Sequence, residues 1–135
     1  MYVSEIKVKV RYAETDKMGY CHHGNYAQYF EMGRTELMRD LGISYKAIED
    51  LGVMMPVLEL KTKFLMPAYY DDELTIKTSL KDYPGARVKF HYEVFKKDGT
   101  RISIAETTLV FVDDKTMKPI KPPVFLLDKV KDLLD

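Results

Sequence analysis

The sequence predicts an α+β domain of two layers, in which one long helix packs on a five-stranded antiparallel sheet that wraps around it. Five stretches alternate apolar and polar residues with period two, which is typical of strands. Another stretch, between the first two of these, repeats apolar residues at helical spacing. The dipeptides Pro84-Gly85 and Asp98-Gly99 separate the last three strands and favour tight reversals, so these strands form an antiparallel meander. The predicted elements make one domain, residues 1–135.

The first predicted strand places Ile6, Val8 and Val10 on one face and ends at Tyr12. Tyr12 is in phase with those apolar residues, so we expect its side chain to point toward the core. The other strands are predicted over residues 58–66, 74–81, 88–94 and about 101–112.

The helical pattern runs over residues 25–41, where Tyr26 and Phe30 lie on the apolar face. Asn25 is a favourable N-cap, and Gly42 is a favourable stop. Gly33 inside the helix costs roughly 1 kcal/mol relative to alanine, so we expect another backbone to approach closely there. Two shorter helices are predicted, over residues 44–51 and after residue 123.

Composition excludes several classes of protein. Twenty-one basic residues balance twenty-one acidic ones, so no overall field attracts nucleic acid or an anionic membrane. No apolar run approaches the roughly 18 residues of a membrane span, so we expect no membrane insertion. The N-terminal sequence has neither the basic start nor the apolar run of a secretory signal, and the single cysteine, Cys21, cannot form an internal disulfide. We therefore expect a cytoplasmic protein.

The connection between the first strand and the long helix concentrates acids, histidines, glycines and a cysteine. A helix start supplies free N–H groups and a positive dipole end, which suit a reaction in which a carbonyl oxygen gains negative charge. Asp16 has the chemistry of a nucleophile or of a base that activates water, and His23 that of a hydrogen-bond donor to the reacting carbonyl or the leaving group. Taken alone, Asp16 is more often a turn residue and such a histidine more often structural.

Two other chemistries fit this segment less well. Cys21, His22 and His23 are adjacent, so their side chains point in different directions, and their spacing matches no zinc pattern. We expect no metal site. Cys21 as a nucleophile would need a base and an electropositive setting, for which the sequence gives no sign.

Three motifs carry a family resemblance. They are Tyr12-x-Glu14-Thr15-Asp16-x-x-Gly19, His23-x-Asn25-Tyr26, and Phe30-Glu31 with Arg34-Thr35-Glu36. Together they closely resemble the thioesterases of the 4-hydroxybenzoyl-CoA thioesterase superfamily, most of all its Tol–Pal-associated acyl-CoA thioesterase branch. The resemblance extends to Met66-Pro67-Ala68, the Asp71-Asp72 turn and Met117-Lys118-Pro119, and so spans nearly the whole chain.

The resemblance implies a hotdog fold, in which a helix is wrapped by an antiparallel sheet. It implies homodimers whose sheets join edge to edge, often paired again into tetramers, with active sites at the subunit interface. The implied reaction is hydrolysis of an acyl-CoA to a carboxylate and CoA, without a metal or other cofactor. The family's catalytic carboxylate falls on Asp16, its histidine on His23 and the tyrosine at the strand end on Tyr12. The helix-start amides near Gly24, Asn25 and Tyr26 would polarise the thioester carbonyl.

The substrate is less well specified. Arg87 and Lys89, on the outward face of their strand, are candidates to bind the CoA phosphates, although a solvated sheet face is an equally simple interpretation. A basic run at Lys115, Lys118 and Lys121, or residues of a partner subunit, are alternatives. The acyl group stays open, as does an acyl-carrier-protein thioester.

Two further points bear on the function. Tyr20 and Cys21 stand where the family more often has small branched residues, which indicates a reshaped acyl pocket. The competing function is a non-hydrolytic acyl-CoA-binding hotdog protein, a sensor or scaffold, and Asp16 argues against it because a pure binder needs no carboxylate beside a thioester.

Overall fold

The computed structural model describes residues 1–134. A short 3₁₀ turn, Tyr12–Glu14, follows the first strand. The strands are β1 (Tyr2–Lys9), β2 (Val53–Met54), β3 (Val57–Phe64), β4 (Glu73–Leu80), β5 (Arg87–Lys96), β6 (Arg101–Val110) and β7 (Val112–Asp113). The helices are α1 (Asn25–Asp40), α2 (Tyr45–Asp50) and α3 (Val124–Leu134). None of the helices within residues 1–134 is long and apolar enough to cross a membrane.

The main sheet has five antiparallel strands in the order β1-β4-β5-β6-β3, and α1 packs against β1 and β4. Strand β4 alternates strictly, with Leu74, Ile76 and Thr78 buried on the face toward the helix. On β5 the buried residues of the same face include Phe90 and Tyr92. The predicted two-layer arrangement of one long helix and a five-stranded sheet is confirmed.

At Gly33, α1 lies tightly against the sheet. A Cβ atom built on Gly33 would lie 2.3 Å from Thr78 Oγ1 and 3.3 Å from Ile76 Cγ2, so a side chain does not fit. The expected close approach exists, but the neighbours are side chains of β4 and not another backbone.

The prediction that the Tyr12 side chain points toward the core is wrong. β1 ends at Lys9, and the next residue, Val10, exchanges backbone hydrogen bonds with the turn at Asp71 and Asp72. The chain then enters the 3₁₀ turn, in which period two no longer holds. The Tyr12 side chain is 77% exposed and packs edge-on against Tyr70, with ring centroids 5.7 Å apart.

Strand β3 differs from the other strands because neither of its faces is covered. Leu58, Leu60 and Phe64 are about half exposed, although the sequence pattern places them on an apolar face. The reason is positional: α1 lies over β1 and β4, whereas β3 is at the far edge of the sheet, beyond β6.

The predicted fifth strand ends earlier than expected. It divides into β6 and the short β7, because Val110 donates its N–H to Pro56 O and Val112 then pairs with Met54 in a separate two-stranded sheet. The two short helices are present, and Ser44 caps the first through a hydrogen bond from Ala47 N–H to its Oγ at 3.0 Å.

Candidate active site

The connection between β1 and α1 folds into a tight loop around Asp16. Asp16 N–H donates to Tyr20 O (2.9 Å), and Gly19 N–H donates back to Asp16 O (3.0 Å). Gly19 has φ of 81°, a conformation that costs glycine little, and this closes the loop so that Thr15 pairs with Cys21. Cys21 N–H then donates to Ala68 O at 2.7 Å, which fixes the loop to the segment after β3.

A cavity of about 300 Å³ lies beside this loop. It brings together the two predicted catalytic residues, Asp16 and His23, from opposite ends of the connection. Its other lining residues are Met18, Tyr20, Cys21, Tyr26, Phe64, Leu65, Met66 and Pro67. His22 does not line it, so the cavity distinguishes the two adjacent histidines. A small, mainly apolar cavity with a few polar groups is the usual form of a ligand site.

Asp16 both forms part of a turn and lines the cavity. Its Oδ1 accepts a hydrogen bond from the backbone N–H of Met18 at 2.9 Å. Within residues 1–134, Oδ2 accepts no hydrogen bond. The two interpretations that the sequence left open, turn residue and reactive carboxylate, are therefore compatible.

Aromatic rings build one wall of the cavity. The Tyr26 ring packs edge-on against Phe64 with centroids 5.0 Å apart, and the His23 ring lies 6.2 Å from the same phenylalanine. Tyr26 is buried, and burial raises the pKa of its hydroxyl far above the usual value, so this hydroxyl stays protonated at neutral pH. Because Phe64 ends the exposed edge strand β3, the cavity opens at the same edge of the molecule.

The helix start differs in part from the prediction. Asn25 is not the N-cap: Gly24 holds that position with helical angles, and the Asn25 side chain instead donates to Glu14 O at 2.8 Å. Asn25 N–H and Tyr26 N–H donate to His22 O and His23 O. Within the described chain, the N–H groups of His23 and Gly24 find no acceptor. Of the three predicted amides, Gly24 is therefore available and Asn25 and Tyr26 are not, while His23 offers a further free amide.

Glu14, which the sequence identifies only as part of a motif, adjoins the Asp16 loop. Its side chain is buried, and its carboxylate accepts hydrogen bonds from Arg11 N–H at 2.8 Å and from the Tyr29 hydroxyl at 3.0 Å. Burial alone would raise the pKa of Glu14, but these hydrogen bonds outweigh it and lower the pKa, so the group is ionised. Tyr29 in turn contacts Cys21, with its oxygen 3.4 Å from Sγ.

The remaining predicted residues lie outside the cavity. Tyr12 does not line it, although the turn that contains Tyr12 leads directly into the Asp16 loop. Arg87 and Lys89 are exposed on β5 and do not line it either, and Lys89 pairs with Glu106 at 3.7 Å. A role for these two in binding CoA phosphates stays a prediction.

A larger groove, of about 1060 Å³, lies on the sheet face away from α1. Basic side chains outnumber carboxylates in its lining, and some of them are paired, for example Lys61 with Glu106 at 3.9 Å and Arg101 with Glu93 at 3.0 Å. No cluster of three or more histidine, cysteine or acidic side chains suited to a metal ion occurs in residues 1–134. Neither predicted catalytic residue, Asp16 or His23, lines this groove, so the smaller cavity is the candidate site.

Comparison with known proteins identifies thioesterases as relatives of this chain. The sequence model of the thioesterase-like superfamily matches residues 10–130. YneP of Bacillus subtilis, provisionally named an acyl-CoA thioesterase, is 36% identical over 90% of this chain and 88% of its own length. The acyl-CoA thioester hydrolase YbgC of Escherichia coli is 30% identical over 92% of each chain. Among solved structures, a DHNA-CoA thioesterase from Staphylococcus aureus superposes with a TM-score of 0.86 at 36% identity, covering 90% of this chain and 81% of that one.

Proposed function

Because the chain belongs to the thioesterase-like superfamily, we propose that it is an acyl-CoA thioesterase, which hydrolyses an acyl-CoA to a free carboxylic acid and CoA. It has the hotdog fold that the motifs implied, and its relatives favour a hydrolase over a protein that only binds acyl-CoA. The observation that carries the proposal is that Asp16 and His23 line the same small cavity beside the start of α1.

The proposed reaction cleaves the C–S bond of the thioester. Asp16, through Oδ2, either attacks the carbonyl carbon or removes a proton from an attacking water. The N–H groups of His23 and Gly24 are the donors available to the carbonyl oxygen as it gains negative charge. The His23 side chain lines the same cavity and would hydrogen-bond the carbonyl or the departing thiolate. The thiolate leaves and takes up a proton to give CoA. In the base route the attacking water becomes part of the acid directly, whereas in the nucleophilic route a water then hydrolyses the Asp16 anhydride, which releases the acid and regenerates the carboxylate.

The two routes differ in whether Asp16 becomes acylated. A nucleophilic Asp16 forms a mixed anhydride, which adds the mass of the acyl group to the peptide that carries this residue. Rapid quenching of a single turnover, followed by mass measurement of the peptides, detects that adduct. If the peptide stays unmodified while thiol is released at the full rate, Asp16 acts as a base.

The cavity lining and the relatives indicate which acyl groups to test. Rings of Tyr20, Tyr26 and Phe64 line the cavity, and one relative is a DHNA-CoA thioesterase, so we include aromatic acyl groups among the candidate substrates. Short and long aliphatic chains and acyl-carrier-protein thioesters complete the set.

We further propose that the protein forms a dimer through the β3 edge, as its family resemblance implied. This edge exposes about half of each of the side chains of Leu58, Leu60 and Phe64. Within the described residues, no other strand pairs with the backbone of β3 on this side. A second copy of β3 would cover both and would bring a second chain next to the cavity. The edge is also the natural route by which a partner could contribute residues that bind CoA. A cytoplasmic location suits the free thiol of Cys21.

The experiment that tests the proposed function is a thiol-release assay over a panel of acyl-CoA thioesters, including aromatic and short and long aliphatic members. We expect release with at least one class at a rate far above spontaneous hydrolysis. Tight binding of acyl-CoA without release from any member would instead assign the protein as a binder.

A further inference from the structure

A chain of hydrogen bonds runs from the protein surface to the cavity wall. It begins at Arg11, whose guanidinium lies 3.3 Å from Glu14 Oε2. The other carboxylate oxygen, Oε1, accepts from the Tyr29 hydroxyl at 3.0 Å, and the Tyr29 oxygen lies 3.4 Å from Cys21 Sγ. Cys21 lines the same cavity as Asp16. Glu14 is therefore connected to the site through two side chains.

The chemistry of the groups gives this chain a direction. An ionised carboxylate has no proton, so it can only accept hydrogen bonds. Tyr29 has one hydroxyl proton and donates it to Glu14. The Tyr29 oxygen is then left as an acceptor for the Cys21 S–H at 3.4 Å, in competition with His22 O, which lies 3.8 Å from the same Sγ. The contact with Tyr29 therefore favours the thiol form of Cys21.

The backbone of Glu14 makes a second connection. Its carbonyl oxygen accepts hydrogen bonds from His22 N–H at 2.7 Å and from Asn25 Nδ2 at 2.8 Å. One residue therefore ties the loop of Asp16 to the first turn of α1 through both its backbone and its side chain. The free amides of His23 and Gly24 lie immediately before that first turn.

We propose that Glu14 is a positioning residue of this site, which, acting through Tyr29, holds the Asp16 loop against the start of α1 and keeps Cys21 protonated in the cavity wall. The proposal rests on the proposed function for its catalytic consequence, but its structural part can be tested without a substrate. A misplacement of about 1 Å between reacting groups can cost on the order of 100-fold in rate, so a clamp between loop and helix matters for turnover.

The surroundings of Cys21 agree with a protonated thiol. Burial raises the pKa of the Cys21 thiol, and the negative charges of Glu14 and Asp16 raise it further. Hydrogen-bonding contacts with Tyr29 and Asn25 lower this pKa, but by less than the other causes raise it. The groups around it are Glu14 and Asp16 on the loop, and Asn25, Tyr26 and Tyr29 on α1. The proposal assigns Cys21 no part in the chemistry.

The test uses Cys21 as a reporter, because it is the only cysteine in the chain. The rate of alkylation by iodoacetamide is measured from pH 7 to 10 in the full-length protein, together with kcat and KM for the best substrate. The informative variants are Glu14→Gln, which removes the charge but keeps an oxygen that accepts from Tyr29, and Tyr29→Phe, which removes the link itself. Tyr45→Phe is the control, because Tyr45 also has a buried hydroxyl, beside Arg34, but does not line the cavity of Asp16.

We expect alkylation of Cys21 at pH 8 to become at least about threefold faster in Glu14→Gln, because loss of the negative charge lowers the pKa of the thiol and the thiolate is the reactive form. Tyr29→Phe should lower kcat about tenfold with KM within about twofold, while Glu14→Gln, which retains the clamp, should keep most of kcat. Tyr45→Phe should match the wild type in every measurement. Unchanged alkylation in Glu14→Gln would overturn the link to Cys21, and an unchanged kcat in Tyr29→Phe would overturn the positioning role. Absence of any thiol release in the wild type would reject the proposed function, and the alkylation rates would still decide the link.

Discussion

Asp16 Oδ1 accepts a hydrogen bond from the backbone N–H of Met18 at 2.9 Å, so one oxygen of this carboxylate builds the loop while the other is left for chemistry. The same geometry occurs at the β5–β6 hairpin, where Asp98 Oδ1 accepts from Thr100 N–H at 2.9 Å. The two aspartates differ in location: Asp16 lines the cavity with His23, whereas Asp98 is fully exposed. This contrast provides a matched control for the central claim.

Gly33 should tolerate no side chain. Gly33→Ala places a methyl group 2.3 Å from Thr78 Oγ1, and we expect a loss of about 1–3 kcal/mol in the free energy of unfolding, measured by chemical denaturation. The loss should shrink in a Thr78→Ala background, where that oxygen is absent. Gly85→Ala is the control, since a Cβ there meets no atom within 4 Å. Equal losses in both backgrounds would mean that the contact with Thr78 is not the cause.

The β3 edge should carry the dimer. Leu60→Glu places a charge on this edge, and we expect the protein to elute as a monomer in size-exclusion chromatography with light scattering, with thiol release reduced at least about tenfold. Leu51→Glu, at an exposed position after α2, should leave both properties unchanged. A wild-type monomer with full activity would contradict the prediction.

Arg87 should act in binding and not in the chemical step. If it contacts a CoA phosphate, Arg87→Ala raises KM by about threefold to tenfold with kcat unchanged, and the effect diminishes at high salt. Lys118→Ala represents the alternative basic run and should have no effect. An increase in KM in Lys118→Ala alone would move the phosphate site to that run.

The pH dependence of stability should include a contribution from Glu14. Because its folded-state pKa lies below the ordinary value of 4.5, its ionised form stabilises the fold above that pH, and this stabilisation is lost as the pH falls through the folded-state pKa. We therefore expect the difference in Tm between wild type and Glu14→Gln to be largest at neutral pH and to shrink on acidification below pH 4.5. A difference that stays constant from pH 7 to 3 would show that folding does not lower the pKa of Glu14.

The sequence predicted the elements that periodicity defines. The alternation on β4 and β5 and the helical spacing of Tyr26 and Phe30 are dictated by burial against α1 and the sheet, and they were confirmed. Prediction from periodicity was wrong where local hydrogen bonds determine the direction of a side chain. Tyr12 has the phase of a core residue, but the 3₁₀ turn that follows β1 directs it into solvent.

The candidate site was likewise predicted only in part. The family motif identified Asp16 and His23, and the fold brings both to one cavity. The available amides are those of His23 and Gly24, of which only Gly24 was predicted. The Asn25 side chain binds Glu14 O, eleven residues away, instead of capping the helix, and no local pattern encodes that contact. The part of Glu14 in the site likewise depends on its burial against Tyr29, fifteen residues away.

The most direct test of the central claim compares Asp16→Asn with Asp98→Asn in the thiol-release assay. Both substitutions retain an oxygen that can accept the backbone N–H of the turn, so both proteins should keep the wild-type Tm and circular dichroism spectrum. We expect Asp98→Asn to release thiol at the wild-type rate and Asp16→Asn to lose about 99% or more of kcat. A folded Asp16→Asn protein with full activity would remove Asp16 from the mechanism and contradict the account.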